Sequence, residues 1–499
     1  MTSGQVFEPQ EIERAKTQAL ALLREHGYAQ ARFDDHLDRD RLIDFEQRRV
    51  DLVLRLIPGR RYRVRRIDIS GNVITRDGVL RGPLALQPGK IWSDRDRQQS
   101  LRELNRSGLF SNDPIERPRI VPRFDTARPA PDIPGVDDVD VEIQVKETST
   151  GSVRLNIGWS TATGIAGQID YTERNLNLLG LVSRQHWRGG GQVFNAGIKY
   201  DEERQSIFAR WTNPRLFDGP YGLTVSFDRS DSTFRDWDQT RHVTGLRLSR
   251  RLMDNNLTLA AFYRYTDLKI SDVDDSAPDD VRDSKYHLNT IGLNQTYDRL
   301  DHPLFPTRGL RISLEQALSG EITASSFDYL DLELRASAYL PLTTSDIGGV
   351  TFLALSHRNQ WLEPLGDDDN IPFFDRIFGG GPSPEHRGFR RRDLGPREIN
   401  SNGIETRVGG TWNWMSTIEL SVPLQGTNEG FRGVLFTDVG QVWGKDESAR
   451  LSDLRTAVGF GLRFPAMVLP VKLDFAWLLD PEQGESSFHT HFSIAGFVF

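Results

Sequence analysis

The chain has 499 residues, a formal net charge of −8, 37% hydrophobic residues and no cysteine. The lack of cysteine excludes disulfides, thiol catalysis and cysteine-ligated metal sites, and the acidic balance supplies no general attraction to nucleic acid. The mean hydropathy is −0.48, and no apolar run approaches the roughly 20 residues of a membrane-crossing helix; a β-barrel can hide in such a composition, because only every second strand residue faces lipid.

In chain order, the first part reads as mixed α and β. The opening residues Met1-Thr2-Ser3-Gly4-Gln5 lack the basic and apolar run of a secretory leader. Ile12, Ala15, Ala19, Leu22 and Leu23 recur at helical spacing, and Gly27 follows as a stop. Val50–Leu56 and Tyr62–Ile69 read as strands, the second ended by Ser70-Gly71-Asn72. Thr75–Leu80 suggests a short helix, and Ser93 caps a longer one that Gly108 stops. The Pro-, Arg- and Asp-rich run Pro118–Pro134 reads as a loop, and Val139–Val145 alternates as a strand.

From residue 151 onward a period of two replaces the helical period. Val153, Leu155, Ile157 and Trp159 alternate with polar or small neighbours, as do Tyr221–Phe227, Leu257–Tyr265, Leu310–Leu314, Leu332–Leu340 and Val471–Trp477. Alternation alone fits a soluble sandwich as well as a membrane barrel. The barrel is favoured by Trp and Tyr near stripe ends, by tight turns alternating with long ones, and by a helix-free span too long for one sandwich. The chain ends within an aromatic alternation, Phe488–Phe499, as a last barrel strand that must pair with the first would.

These residues resemble the outer-membrane assembly-factor superfamily, the BamA- and TamA-like proteins. Ile69-Ser70-Gly71-Asn72, Gly89-Lys90-Ile91-Trp92, Leu101-Arg102-Glu103-Leu104, Ser107-Gly108-Leu109-Phe110 and Val139–Glu147 resemble a polypeptide-transport-associated (POTRA) domain. Thr150-Gly151-Ser152 with Gly158-Trp159-Ser160, then Glu173–Gly180, resemble the entry to the barrel, and the junction leans towards the BamA-like branch. Asp298–Gly309 resembles a mid-barrel signature, and Phe378-Gly379-Gly380-Gly381 leading to Arg387-Gly388-Phe389 resembles a loop that folds back into the lumen.

The resemblance implies a mainly β fold: a transmembrane antiparallel β-barrel of 16 strands over 150–499, preceded by small α/β POTRA-like domains. Of these, 61–149 is one such domain and 1–60 part of another, whose missing first strand implies truncation. It implies that Arg387 pairs with Glu419 and Asp438, a planar fork of donors meeting carboxylates, with Gly388 allowing a tight turn and Phe389 packing on the wall. A staple without a part in insertion fits the same residues. Gly158, Gly496, Phe497 and Phe499 mark the seam between first and last strands; the residues alone fit an ordinary closed seam, whereas the resemblance implies one that parts.

The function so implied is insertion of β-barrel proteins into the outer membrane, bacterial or organellar. Its partners would be nascent outer-membrane β-barrels, periplasmic or lipoprotein accessory subunits on the arm, and outer-membrane lipid, with no nucleic acid. Val64–Ile69 and Val139–Val145 are read as the arm's exposed sheet edges. The alternatives are TamA-like or two-partner-type translocation, or a passive pore. No catalytic residue, cofactor or metal site is read: Gly366–Asn370 and Asp272–Asp280 are acidic loops, and His489 and His491 lack a third ligand.

Overall fold

The computed structural model describes residues 8–34, 42–44, 49–51, 54–234, 236–253, 255–320, 323–365, 371–428, 430–445, 447–464 and 470–494. The chain divides into two compact units. One holds residues up to Ser152 together with Glu173–Gln192, and the other holds Val153–Thr172 and Val193 onward.

In the first unit, helix α1 (Pro9–Glu25) is followed by the left-handed Gly27. The strand anticipated over Val50–Leu56 is not continuous: short strands cover Arg49–Asp51 and Leu56–Ile57, and residues 52–53 lie outside the described set. A three-stranded sheet follows, built from β1 (Arg61–Ser70), β2 (Arg119–Pro129) and β3 (Val136–Gln144), with α2 (Asp77–Arg81) and α3 (Asp94–Arg106) between β1 and β2. Ser93 Oγ accepts from Asp96 N–H at 3.2 Å, capping α3. Val64, Ile67, Leu80, Trp92, Leu104, Val139, Val141 and Ile143 close an apolar core between sheet and helices.

Two readings of this unit are corrected. The run read as a loop contains strand β2, with Ile120, Pro122 and Phe124 on one face and Phe124 packed 4.9 Å from the Tyr62 ring. Proline discourages central strands but is tolerated at an edge, and β2 is an edge. The sheet order is β1-β3-β2, so Val139–Val145 belongs to the central strand rather than to an edge. The outer side of β1 is partly covered, since Val64 N–H donates to Lys90 O and Tyr62 N–H to Gly27 O. Among the described residues, β1 and β2 are the two edges of the sheet, as expected for Val64–Ile69, and the cover on β1 is at its start, Tyr62–Val64.

The second unit is a closed barrel of sixteen strands in which chain neighbours pair antiparallel. The strands are β4 (Gly151–Ser160), β5 (Gly164–Leu176), β6 (Gln192–Tyr200), β7 (Arg204–Asn213), β8 (Tyr221–Thr233), β9 (Asp238–Leu252), β10 (Leu257–Ser271) and β11 (Ser284–Asp298). They continue with β12 (Gly309–Ser319), β13 (Tyr329–Thr344), β14 (Val350–Pro364), β15 (Trp412–Pro423), β16 (Arg432–Trp443), β17 (Arg455–Phe464), β18 (Val471–Leu478) and β19 (Phe488–Ile494). The alternating apolar stripes lie on the outer wall: Leu155, Phe227, Tyr263, Leu334 and Trp477 are all exposed there. No helix among the described residues is long and apolar enough to cross a membrane.

β19 closes on β4 through Ser493↔Ser160 and Ile494↔Trp159, with the Trp159 and Phe492 rings 5.6 Å apart. Gly158 lies on β4. Gly496, Phe497 and Phe499 lie outside the described residues, as does the acidic stretch Gly366–Asn370.

Candidate functional site in the barrel lumen

The residues that face the lumen of the last five strands set up the site. Register places Thr417 of β15 opposite Asp438 of β16, and Glu419 opposite Phe436. Asp438 pairs with Ala457 of β17, and Asp474 of β18 faces both Gly461 of β17 and His491 of β19. On its inner face β17 therefore offers Ala457, Gly459 and Gly461, side chains too small to obstruct. A Cβ at Gly459 would meet the Phe436 ring at 2.3 Å, so the glycine is what lets that ring lie down. Carboxylates from the strands on either side are left facing a shared hollow.

The described part of the connection between β14 and β15, residues 371–411, reaches into that hollow with Arg387. Its glycine run turns the chain, with Gly380 left-handed at φ +91° and backed against Arg390 O. Gly388 comes so close to β17 that a Cβ would stand 2.8 Å from the Ala457 Cβ. Between them Arg387 is carried to the wall, with 0% of its side chain exposed. Its Nε donates to Asp438 Oδ2 at 2.7 Å, its Nη2 to Asp438 Oδ1 at 2.8 Å, and its backbone N–H to Asp438 Oδ2 at 3.0 Å. Nη1 donates to Glu419 Oε2 at 2.9 Å and lies 3.6 Å from Asp474 Oδ1. The guanidinium lies 3.3 Å from the centroid of the Phe436 ring.

Sequence reasoning named Arg387, Glu419 and Asp438, and the structure brings the three together. It missed Asp474, Arg463 and the two histidines. Arg463 Nη2 lies 2.6 Å from Asp474 and 3.4 Å from Glu419, so two guanidinium groups share three carboxylates. The polar side of the β18 stripe, Lys472 and Asp474, was the available signal for the third acid. His491 Nε2 donates to Arg387 O at 2.8 Å, tying the loop to the strand that closes the barrel. His386 Nε2 donates to Arg455 O at 2.9 Å, while its Nδ1 accepts from Gly388 N–H. Phe389 is buried among Leu288, Leu362, Leu394, Met415 and Val442. A second staple lies alongside, where Arg358 of β14 donates to Glu333 and to Glu385, both at 2.8 Å. Gly158 has no place in this cluster.

The arrangement holds a loop, and Thr417 Oγ1 adds a hydrogen bond to Asp438 Oδ1 at 2.8 Å. His489 and His491 stack at 6.4 Å, and no group of three His, Cys, Asp or Glu that could hold a metal occurs among the described residues. An ion pair this dry is justified by geometry: every acid has a guanidinium nitrogen within 4 Å, although Asp474 Oδ1 makes no hydrogen bond, and the doubly bonded Arg387–Asp438 pair leaves little freedom.

Residues 186–497 match the Omp85 superfamily domain, and residues 62–148 match the surface antigen variable number repeat, or POTRA. The chain is 24% identical over 464 residues to the outer membrane protein assembly factor BamA of Neisseria meningitidis, covering 89% of this chain and 54% of that one. It is 24% identical to BamA of Nitratidesulfovibrio vulgaris, covering 91% and 53%. The chain thus spans about half the length of the curated relatives it matches. The fold is similar to that of Haemophilus ducreyi BamA lacking POTRA domains 1–3, with a TM-score of 0.70, 18% identity, and coverage of 99% of this chain and 94% of that one. It is also similar to CdiB from Acinetobacter baumannii, with a TM-score of 0.56, 16% identity, and coverage of 98% and 82%. With its apolar outer wall, the chain is a bacterial outer-membrane β-barrel protein.

Proposed function

We propose, for a chain that belongs to the Omp85 superfamily, that the barrel inserts other β-barrel proteins into the outer membrane through the seam between β4 and β19, without covalent chemistry. Unpaired backbone groups are costly in lipid, so a parted seam recruits an incoming strand by β-augmentation. Nascent outer-membrane proteins are the clients, and accessory subunits dock on the arm, where β2 supplies a free edge. The POTRA-like boundaries, 61–149 after a partial domain over 1–60, belong to this reading.

The observation that carries it is the Arg387 cluster. A barrel whose lumen holds an inward loop, tied by Arg387 to the wall and by His491 to the closing strand, is built to control its wall rather than to conduct. That arrangement speaks against a passive pore. The native chain has no cysteine, so Ser160→Cys with Ser493→Cys introduces one pair across the seam. In liposomes, the reduced variant accelerates folding of an unrelated barrel and the oxidised one does not. Equal acceleration in both states removes the parting seam from the mechanism.

A further inference from the structure

The arm unit exposes an apolar patch that its core does not account for. Val73 and Ile74, in the turn after β1, are 90% and 53% exposed. Beside them runs the segment that joins β5 to β6. It contains the short helix α4 (Leu178–Val182), with Leu179 and Val182 each 76% exposed, and Leu181 and Trp187 also exposed. The two segments are tied together: Arg76 N–H donates to Gly189 O at 3.0 Å, and Asn175 Nδ2 donates to Thr75 Oγ1 at 2.9 Å. α4 is inside-out for a water-facing turn. Its glycine, Gly180, is the buried residue, so tightly placed that a Cβ would stand 2.1 Å from His186 O, and Leu179, Leu181 and Val182 point outward.

We propose that this patch is seated in the lipid leaflet at that end of the barrel, anchoring the arm to the membrane surface. Connectivity points to lipid, because the segment 177–191 joins two strands of the membrane-crossing wall. Charge agrees: residues 173–192 carry Arg174, Arg184 and Arg188 against the single acid Glu173, a balance suited to anionic headgroups. Arg188 lies 4.2 Å over the Trp187 ring and pairs with Glu173, a tryptophan–arginine arrangement suited to the boundary between headgroup and hydrocarbon. A water-exposed cluster of this kind would otherwise mark a sticky surface, and α4 offers no sheet edge for a strand partner.

The cysteine-free chain of 499 residues allows one nitroxide at a time, reconstituted into phosphatidylethanolamine–phosphatidylglycerol vesicles. Labels on Val182→Cys, on Leu155→Cys of the outer wall and on Ile115→Cys of the arm are compared for collision with oxygen and with a water-soluble nickel chelate. Both Leu155 and Ile115 are well exposed, at 68% and 78%. The label at 182 is expected to favour oxygen over nickel, as at 155, while 115 favours nickel. A label at 182 that matches 115, or one shielded from both reagents by protein, overturns the proposal. The inference requires a membrane-seated barrel but not insertion activity, so a water-like label at 155 would instead fault the membrane seat itself.

Discussion

The arm and the barrel use the same alternation for opposite ends. In the arm sheet, Val139, Val141 and Ile143 turn inward and are fully buried. In the barrel, Val153, Leu155 and Ile157 turn outward, and the fully buried large side chains include a guanidinium, Arg387, beside Leu268, Leu288 and Leu362. The difference is one of solvent. The arm faces water and hides its apolar stripe; the wall faces hydrocarbon and hides its charges. The lumen thus sets an ionic cluster beside packed groups such as Leu288, Leu362 and Phe389, whereas the hydrophobic core of the arm, among the described residues, has no such ionic centre.

The sharpest way to break that contrast is to remove the charge at the centre of the lumen. Arg387→Ala would leave Asp438, Glu419 and Asp474 short of a partner, at a cost of about 3–5 kcal/mol. The expected outcome is loss of heat-resistant barrel on gels and of assembly activity. Arg387→Lys does not restore it, because an ammonium cannot make the bidentate contact. A slightly smaller effect separates the two solvents. Leu104→Ala in the arm core should cost about 2–5 kcal/mol, whereas Leu155→Ala on the outer wall leaves no cavity inside the protein and should cost far less; paired unfolding curves check this. The smallest effect concerns pH in the arm. Burial pushes the Glu147 carboxyl up, but hydrogen bonds from Thr75 and from the backbone of Ile74 and Val73 outweigh it and hold the pKa below the ordinary carboxylate value. A depressed folded pKa means that this contribution is complete above the unfolded value and is lost as pH falls through the folded one. Hydrogen exchange in the arm should therefore rise on acidification below about pH 4.5, and less so in Glu147→Gln.

The barrel was legible because its wall obeys a period of two over strands long enough to average out exceptions. The arm's edge was not: Arg119–Pro129 carries the composition of a loop, and only its pairing with β3 makes it a strand. Within the site, one arginine and two acids could be matched on paper because the family resemblance pairs that loop arginine with acids at those strand positions, a pairing that bidentate chemistry suits. Asp474 and His491 could not, since their part depends on which strands β17 separates and on how small its inner side chains are. The turn 173–192 reads as barrel along the chain yet packs with the arm unit, a choice made by contacts such as Asn175 to Thr75.

The groups that grip Arg387 sit at 419, 438, 474 and 491, in chain order on β15, β16, β18 and β19. No set of earlier strands can complete the socket, however well it pairs. Along the chain the loop comes before its lock, and the socket has all its groups only where the final stave stands in the wall. A seated loop is therefore a record that the cylinder has been finished.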